Sequence, residues 1–272
     1  MNKNTILAIL ATGLICAGFL TGCNNTPAPL DRTATESTIE NEPEKAHFTF
    51  VEHSQSSPNV VTSEDKEIVY ILSSAEKVSF VAENRADRES SRKINDTLAT
   101  AYDRARNIYN DLYADVYALA NGENADLSSL PWETKVDYSC TRNDGRAISV
   151  TEVIETYTAG SLIGTMRYAY NFDPITGDLI KNIFYIPGDK ATFDAADNTL
   201  YEKLLAKYGA EVIDYENVTA SFIDEIMDCW RFTENGVVIT ANAGTIASEE
   251  AGVLEVEYSK EELPEFAQKY FN

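Results

Sequence analysis

Four cysteines, two histidines and a surplus of carboxylates are the residues of this chain whose side chains could be put to chemical use. Cys23 is the most specific of them. It closes the run Leu20-Thr21-Gly22-Cys23, which follows a single cation, Lys3, and an uncharged apolar stretch from Ile6 to Leu20. As a helix that stretch would be roughly 22 Å long, short of the roughly 30 Å hydrocarbon core of a bilayer, so it reads as a cleavable signal and not as a span. Charge, apolar core, small residues and cysteine in that order are those of a lipoprotein signal over residues 1–22. The expected chemistry is a thioether between the Cys23 sulfur and diacylglycerol, with cleavage just ahead of it. The mature chain would then begin at Cys23 on the outer face of a bacterial cell membrane, with the lipid as its anchor. An ordinary secretory peptide with an incidental cysteine is the competing reading.

Beyond Cys16 and Cys23 only Cys140 and Cys229 remain. Outside the membrane two cysteines can pair. A bridge would close a loop of about 90 residues, for which the entropic model allows up to roughly 4 to 5 kcal/mol. Two buried thiols explain the pair nearly as well, since a bridge needs Cα atoms within about 7 Å and spacing does not determine that. A catalytic thiol is disfavoured, because both histidines, His47 and His53, stand far from either cysteine in sequence.

Paired carboxylates at a separation of roughly 5 to 9 Å could hydrolyse a glycosidic bond. Asp194 with Asp197, and Glu249-Glu250, are the candidates. With 44 acidic residues such pairs arise by chance, and Asp194 and Asp197 are better explained as favourable charges near a helix amino terminus. The sequence carries no Gly-x-Ser-x-Gly, His-Glu-x-x-His, phosphate-binding glycine loop, EF-hand loop or Cys/His cluster. The expectation is therefore no catalytic residue, no metal and no cofactor. A formal net charge of −22 argues against nucleic acid and anionic lipid headgroups as partners, and favours cationic ones.

The elements that position these residues follow from composition and periodicity. Residues 24–46 hold three prolines and many Thr, Asn and Glu, which cannot bury enough surface to offset ordering. Residues 23–46 thus form a lipid-anchored flexible tether with a reach on the order of 25 Å. Residues 47–272 are long enough for a real core, as one large domain or as subdomains 47–178 and 179–272. Val78 to Ala82 reads as a short strand. From Arg88 to Leu119 the residues Ile94, Leu98, Ala101, Ala105, Ile108, Leu112 and Val116 recur every three or four positions, which predicts one long amphipathic helix ended at Asn121-Gly122. Tyr102, Tyr109, Tyr113 and Tyr117 widen its stripe.

Three strands follow as a meander. Val136, Tyr138 and Cys140 alternate with polar residues, Asn143-Asp144-Gly145 is expected to supply a positive-φ hairpin turn, and the second strand runs from Ala147 to about Thr158. In the third, Leu162, Met166, Tyr168, Tyr170 and Phe172 share one face. Ser161, Thr165, Arg167 and Asn171 share the other, expected to be wet or covered by a partner. Ile183 to Ile186 reads as a strand stopped by Pro187-Gly188. Phe193 to Tyr208 reads as a helix closed by Gly209, and Val218 to Met227 as a short one. Trp230 to Thr233 and Val237 to Thr240 form a hairpin through Asn235-Gly236, and Leu254, Val256 and Tyr258 mark a last strand. The class is α+β: antiparallel sheets packed against one long helix and two or three shorter ones.

Two segments carry a family resemblance. Asp137 to Asp178, with Tyr170-Asn171-Phe172-Asp173 and Thr176-Gly177, and Trp230 to Leu263 resemble the RsiV-like extracytoplasmic domain. That domain of unknown function is shared by a lysozyme-sensing anti-sigma factor, wall polysaccharide deacetylases and uncharacterised lipoproteins. The resemblance covers residues 60–263 and implies an outer binding module with no active site. Two departures stand out: a turn that often reads Gly-Gly-Ala-His is Ala159-Gly160-Ser161-Leu162 here, and later loop tyrosines are replaced by Gly244 and Glu249. The expected function is an envelope binding or sensing module that engages a basic protein such as lysozyme. The alternative is an accessory of wall polysaccharide metabolism that binds glycan or hydrolyses it weakly.

Overall fold

The computed structural model describes residues 47–53, 59–62, 68–73, 77–120, 131–210, 213, 218 and 229–272. Four short strands come first: β1 (Phe48–His53), β2 (Asn59–Thr62), β3 (Ile68–Ser73) and β4 (Lys77–Ala82). Helix α1 (Arg88–Ala120) follows, and then the long meander of β5 (Trp132–Asn143), β6 (Ile148–Thr158) and β7 (Ser161–Phe172). The second half holds helix α2 (Lys190–Tyr208) and strands β8 (Trp230–Phe232), β9 (Gly236–Ala241) and β10 (Leu254–Ser259). The fold is α+β with three sheets: β1-β4, β10-β9-β8 and β2-β3-β5-β6-β7. Neighbours pair antiparallel except β3 and β5, which run parallel.

Helix α1 behaves as its periodicity predicts. Ile94, Leu98 and Ala105 are buried in one cluster with Phe48, Val78 and Phe80 of the small sheet and Val136, Tyr138, Ile148, Val150, Ile154 and Phe172 of the large one. Apolar burial of this kind is what holds a helix stripe against a sheet face. Ser91 and Asn95 fasten the helix start, as the Ser91 hydroxyl and the Asn95 amide both donate to the Phe80 carbonyl at 2.6 and 2.9 Å. The stop at Asn121-Gly122 lies outside the described residues, as do the side chains of Ile108, Tyr109, Leu112, Tyr113, Val116 and Tyr117.

On β7 the Arg167 side chain is 37 % exposed and Ser161 is exposed, as expected of a wet face, and that face is enclosed only at its Asn171 end. The chain's own C-terminal sheet covers that end. Asn171 is 2 % exposed; its amide donates to the Trp230 carbonyl at 2.6 Å, and its carbonyl oxygen accepts from the Ser149 hydroxyl at 2.7 Å. The Phe232 N–H donates to the same Ser149 oxygen at 3.1 Å. A second cluster around Leu200, Leu204, Trp230, Phe232, Val237, Ile239, Val256 and Tyr258 fills the space between α2 and this sheet.

Three local expectations change. Ile183 to Ile186 forms no strand: the Asn182 side chain accepts from the Phe184 N–H at 2.8 Å and donates to the Tyr185 carbonyl at 2.8 Å, so it replaces the ladder partner a strand would need. Gly145 does not take a positive φ. That turn is closed instead by the Asp144 carboxylate, which accepts from the N–H groups of Arg146 and Ala147 at 2.8 and 3.0 Å. Helix α2 starts three residues earlier than Phe193, because Asp189 caps it by accepting from the Ala191 and Thr192 N–H groups. Gly209, at φ 89°, ends it. The helix expected over Val218 to Met227 lies outside the described residues except at Val218.

The Phe-Asp-x-x-Thr-Gly motif is a turn built to touch α1. The Asp173 carboxylate accepts from the Ile175 and Thr176 N–H groups at 2.8 and 3.1 Å, and the Gly177 N–H donates to the Asp173 carbonyl at 2.8 Å. Gly177 has φ +72°, and a Cβ there would stand 2.5 Å from the Ser90 carbonyl oxygen. The Ser90 hydroxyl in turn donates to the Ile175 carbonyl at 2.6 Å.

Candidate functional site

Strand register places Tyr138, Glu152 and Tyr168 in one row across β5, β6 and β7, and the period of two points all three toward α1. Glu152 is fully buried. Its carboxylate accepts from Tyr138 at 2.5 Å, from Tyr170 at 2.8 Å and from the Arg104 guanidinium at 2.8 Å. Arg104 comes down from α1 with its Cζ 3.6 Å above the Tyr168 ring. Its Nη2 also donates to the Tyr170 hydroxyl at 2.6 Å. Burial and the neighbouring carboxylate push both the Tyr138 and Tyr170 hydroxyls far above the usual tyrosine range, so they stay protonated donors. The buried carboxylate thus has its cation and its hydroxyl donors in place.

A groove of about 360 Å³ opens over this network, lined by Thr97, Thr100, Ala101, Arg104, Tyr168, Ala169, Tyr170 and Leu179. That volume is within the range of about 300 to 1,000 Å³ of small-molecule sites. The Arg104 side chain is 40 % exposed, so part of the guanidinium faces the groove. Its Nε is buried with no hydrogen-bond partner among the described residues. β7 is the last strand of its sheet, and the groove meets its outer edge. That edge is closed on both sides of Ala169. Asn242 accepts from the Arg167 N–H at 2.7 Å and donates to the Arg167 carbonyl at 3.0 Å, while the Ile180 N–H donates to the Asn171 carbonyl at 2.6 Å.

Cys140 and Cys229 are two separate thiols, one on the central sheet and one just ahead of β8. The Cys140 sulfur donates to the Arg142 carbonyl at 3.3 Å and the Cys229 sulfur to the Arg167 carbonyl at 3.1 Å. Burial pushes the Cys140 thiol up to about 11. Cys23 lies outside the described residues. Asp194 is held by Lys190 at 2.6 Å, and Asp197, one turn further on, is buried. Glu249 and Glu250 begin an exposed 3-10 turn. His53 Nε2 and the Ser79 hydroxyl are 2.9 Å apart. His47 borders a separate polar cavity of about 490 Å³ that is also lined by Arg142, Asp144, Arg146 and Phe271. No group of three or more metal-ligating side chains occurs among the described residues.

Periodicity marks Ala101, Tyr168 and Tyr170 as core-facing, but it does not single out Arg104, Glu152 or Ala169. One signal could have found Glu152. It sits between Val150 and Ile154 in the core-facing phase of its strand, where an isolated carboxylate demands a buried partner. Arg104 gives a weaker sign as a cation beside Ala105 at the border of the helix stripe.

No family model matches the chain, and no curated protein matches it. Among solved structures it is similar to a DUF3298 family member from Bacteroides fragilis, at 13% identity and TM-score 0.53, with 83% of this chain and 98% of that one covered. It also aligns with a DUF3298 family protein from Pseudomonas aeruginosa, at 12% identity and TM-score 0.43, with 85% and 97% covered. At 13% identity the likeness to the Bacteroides protein is one of fold, and it gives this chain a fold of the DUF3298 type.

Proposed function

We propose that this chain is a lipid-anchored binding or sensing module on the outer face of a bacterial membrane, held through diacylglycerol on Cys23, whose partner is a basic protein such as lysozyme. The observation that carries the reading is charge: 44 acidic residues against 22 basic ones. Many of the basic ones are engaged internally, as Arg92, Lys93, Lys135, Arg142, Arg167, Lys190, Lys203 and Arg231 each pair with a carboxylate of the chain. The remaining acid gives the surface a field that steers cations. The sequence resemblance to RsiV-like domains agrees with such a role. Calorimetric titration of the protein with lysozyme at low and physiological salt tests it; binding that persists at physiological salt supports the reading, and no binding at either salt overturns it.

A second reading, recognition of wall glycan, is favoured by the α1–β7 groove. Its size and its mix of aromatic, hydroxyl and guanidinium groups suit a sugar better than a protein surface. Retention on purified peptidoglycan at high salt tests this reading.

A further inference from the structure

Between its two closures the outer edge of β7 is open at one residue. Arg167 and Asn171 both turn backbone groups away from β6, since Asn242 and Ile180 meet them there. The period of two gives Ala169 the same direction. Ala169 lines the groove, and its backbone N–H and C=O have no partner among the described residues. The groove wall therefore presents one donor and one acceptor at the spacing a single secondary amide satisfies, with too little free edge for a longer strand to add.

Charge narrows the ligand. Arg104 is already matched by the buried Glu152 at 2.8 Å, so the site as a whole is close to neutral. An anion would meet a compensated guanidinium inside an acidic protein, and a cation would meet the guanidinium itself. A neutral polar ligand avoids both costs. The opposite wall supplies what hydroxyls need. Thr97 and Thr100 donate to the carbonyls of Lys93 and Asp96 at 3.2 and 3.0 Å, which leaves their oxygen lone pairs as acceptors. Nη1 of Arg104 remains as a donor. Ala101 and Leu179 add an apolar side, with Leu179 38 % exposed.

We propose that the groove binds a neutral N-acylated amino sugar, whose secondary amide pairs with the N–H and C=O of Ala169 and whose hydroxyls meet Arg104, Thr97 and Thr100. This rests on the glycan reading above and names its ligand class and contact atoms. The amide could equally come from a peptide, and the hydroxyl acceptors on the helix wall are what select the sugar.

Calorimetry on the full chain tests it with three probes: an N-acetylglucosamine disaccharide, cellobiose, which has hydroxyls in place of the acetamido groups, and a neutral acetylated and amidated alanine. The acetylated disaccharide is expected to bind at least about tenfold more tightly than cellobiose, as the loss of a hydrogen-bonded pair predicts. Ala169→Pro, which removes the outward N–H at a sheet edge where proline is tolerated, should weaken it about tenfold. Thr100→Val, which leaves the strand untouched, should weaken it several-fold at an unchanged melting temperature. Binding that both variants leave intact overturns the proposal and leaves the glycan reading standing. So does retention on peptidoglycan without any binding of the disaccharide. Tighter binding of the alanine amide overturns the sugar assignment. Failure of both the disaccharide and peptidoglycan to bind overturns the proposal and the glycan reading together.

Discussion

Arg104 on α1 and Glu152 on β6, forty-eight residues apart, meet at 2.8 Å across the face of the main sheet, and the carboxylate is completely enclosed. The bond ties the long helix to the second strand of the meander. Enclosed as it is, the Glu152 carboxylate relies on this cation and on two tyrosine hydroxyls for its polar contacts.

Removing the cation is expected to be costly. Arg104→Ala should lower unfolding stability by roughly 3 kcal/mol, since an uncompensated buried carboxylate remains. Adding Glu152→Gln to that variant should recover part of the loss. Urea unfolding of the single and double variants checks both, and strictly additive losses would show that the pair is not coupled.

Gly177→Ala should destabilise by about 2 kcal/mol or more, because the new methyl meets the Ser90 backbone at a φ of +72°. The start of α1 should loosen with it. Faster amide exchange in the first turns of α1 is the expected readout.

Asn242 stands in for a strand partner of β7 at Arg167. Asn242→Ala removes two hydrogen bonds at once, for an expected loss of about 1 to 3 kcal/mol. The Arg167 amide should exchange faster in that variant. Asn242→Asp should fail to rescue it, since a carboxylate cannot donate to the Arg167 carbonyl.

Glu255 gives the fold an acid limb. Burial works against its charge, but hydrogen bonds from Arg231 and Thr240 and the nearby Arg167 hold its carboxyl below the ordinary 4.5. A depressed folded value means stability that is fully present above the unfolded value and lost as pH falls through the lower folded one. Glu255→Gln should therefore be less stable than the parent near neutrality and should lose less on acidification below about pH 4.5. Thermal melts across pH 3 to 7 test the sign.

The two thiols make a direct chemical prediction. Alkylation in denaturant without reductant, followed by peptide mass spectrometry, should label both Cys140 and Cys229, and a crosslinked peptide pair would contradict the structure. In the native state Cys140 should react slowly near pH 8, since burial pushes its thiol up to about 11.

Long, strongly periodic elements were legible from residue types alone. The α1 stripe, the β5-β6-β7 meander and the β8-β9 hairpin all follow from spacing. What escaped was decided by partners distant in the chain. β3 pairs parallel with β5, beyond the whole of α1, and no local pattern announces such a pairing. The apolar run Ile183 to Ile186 looks like a strand until the Asn182 side chain takes its hydrogen bonds. The face of β7 that alternation marks as polar is covered at Asn171 because Ser149 and Asn171 find backbone partners on β8. The groove was invisible for the same reason: Arg104, Glu152 and Ala169 become neighbours only when helix and sheet edge come together.

The seam between the large sheet and the C-terminal one has a consequence for the order in which the molecule can be made. Asn171, Ser149 and Arg142 all belong to the first two-thirds of the chain, yet their partners are Trp230, Phe232 and Tyr270. Until the last hairpin and the final turn have emerged, these polar groups have only their local partners, as Ser149 has Asn171 and Arg142 has Asp144, and water on the uncovered face. A chain cut short ahead of Trp230 would carry the meander with that face bare, so the last hairpin completes the second side of the large sheet.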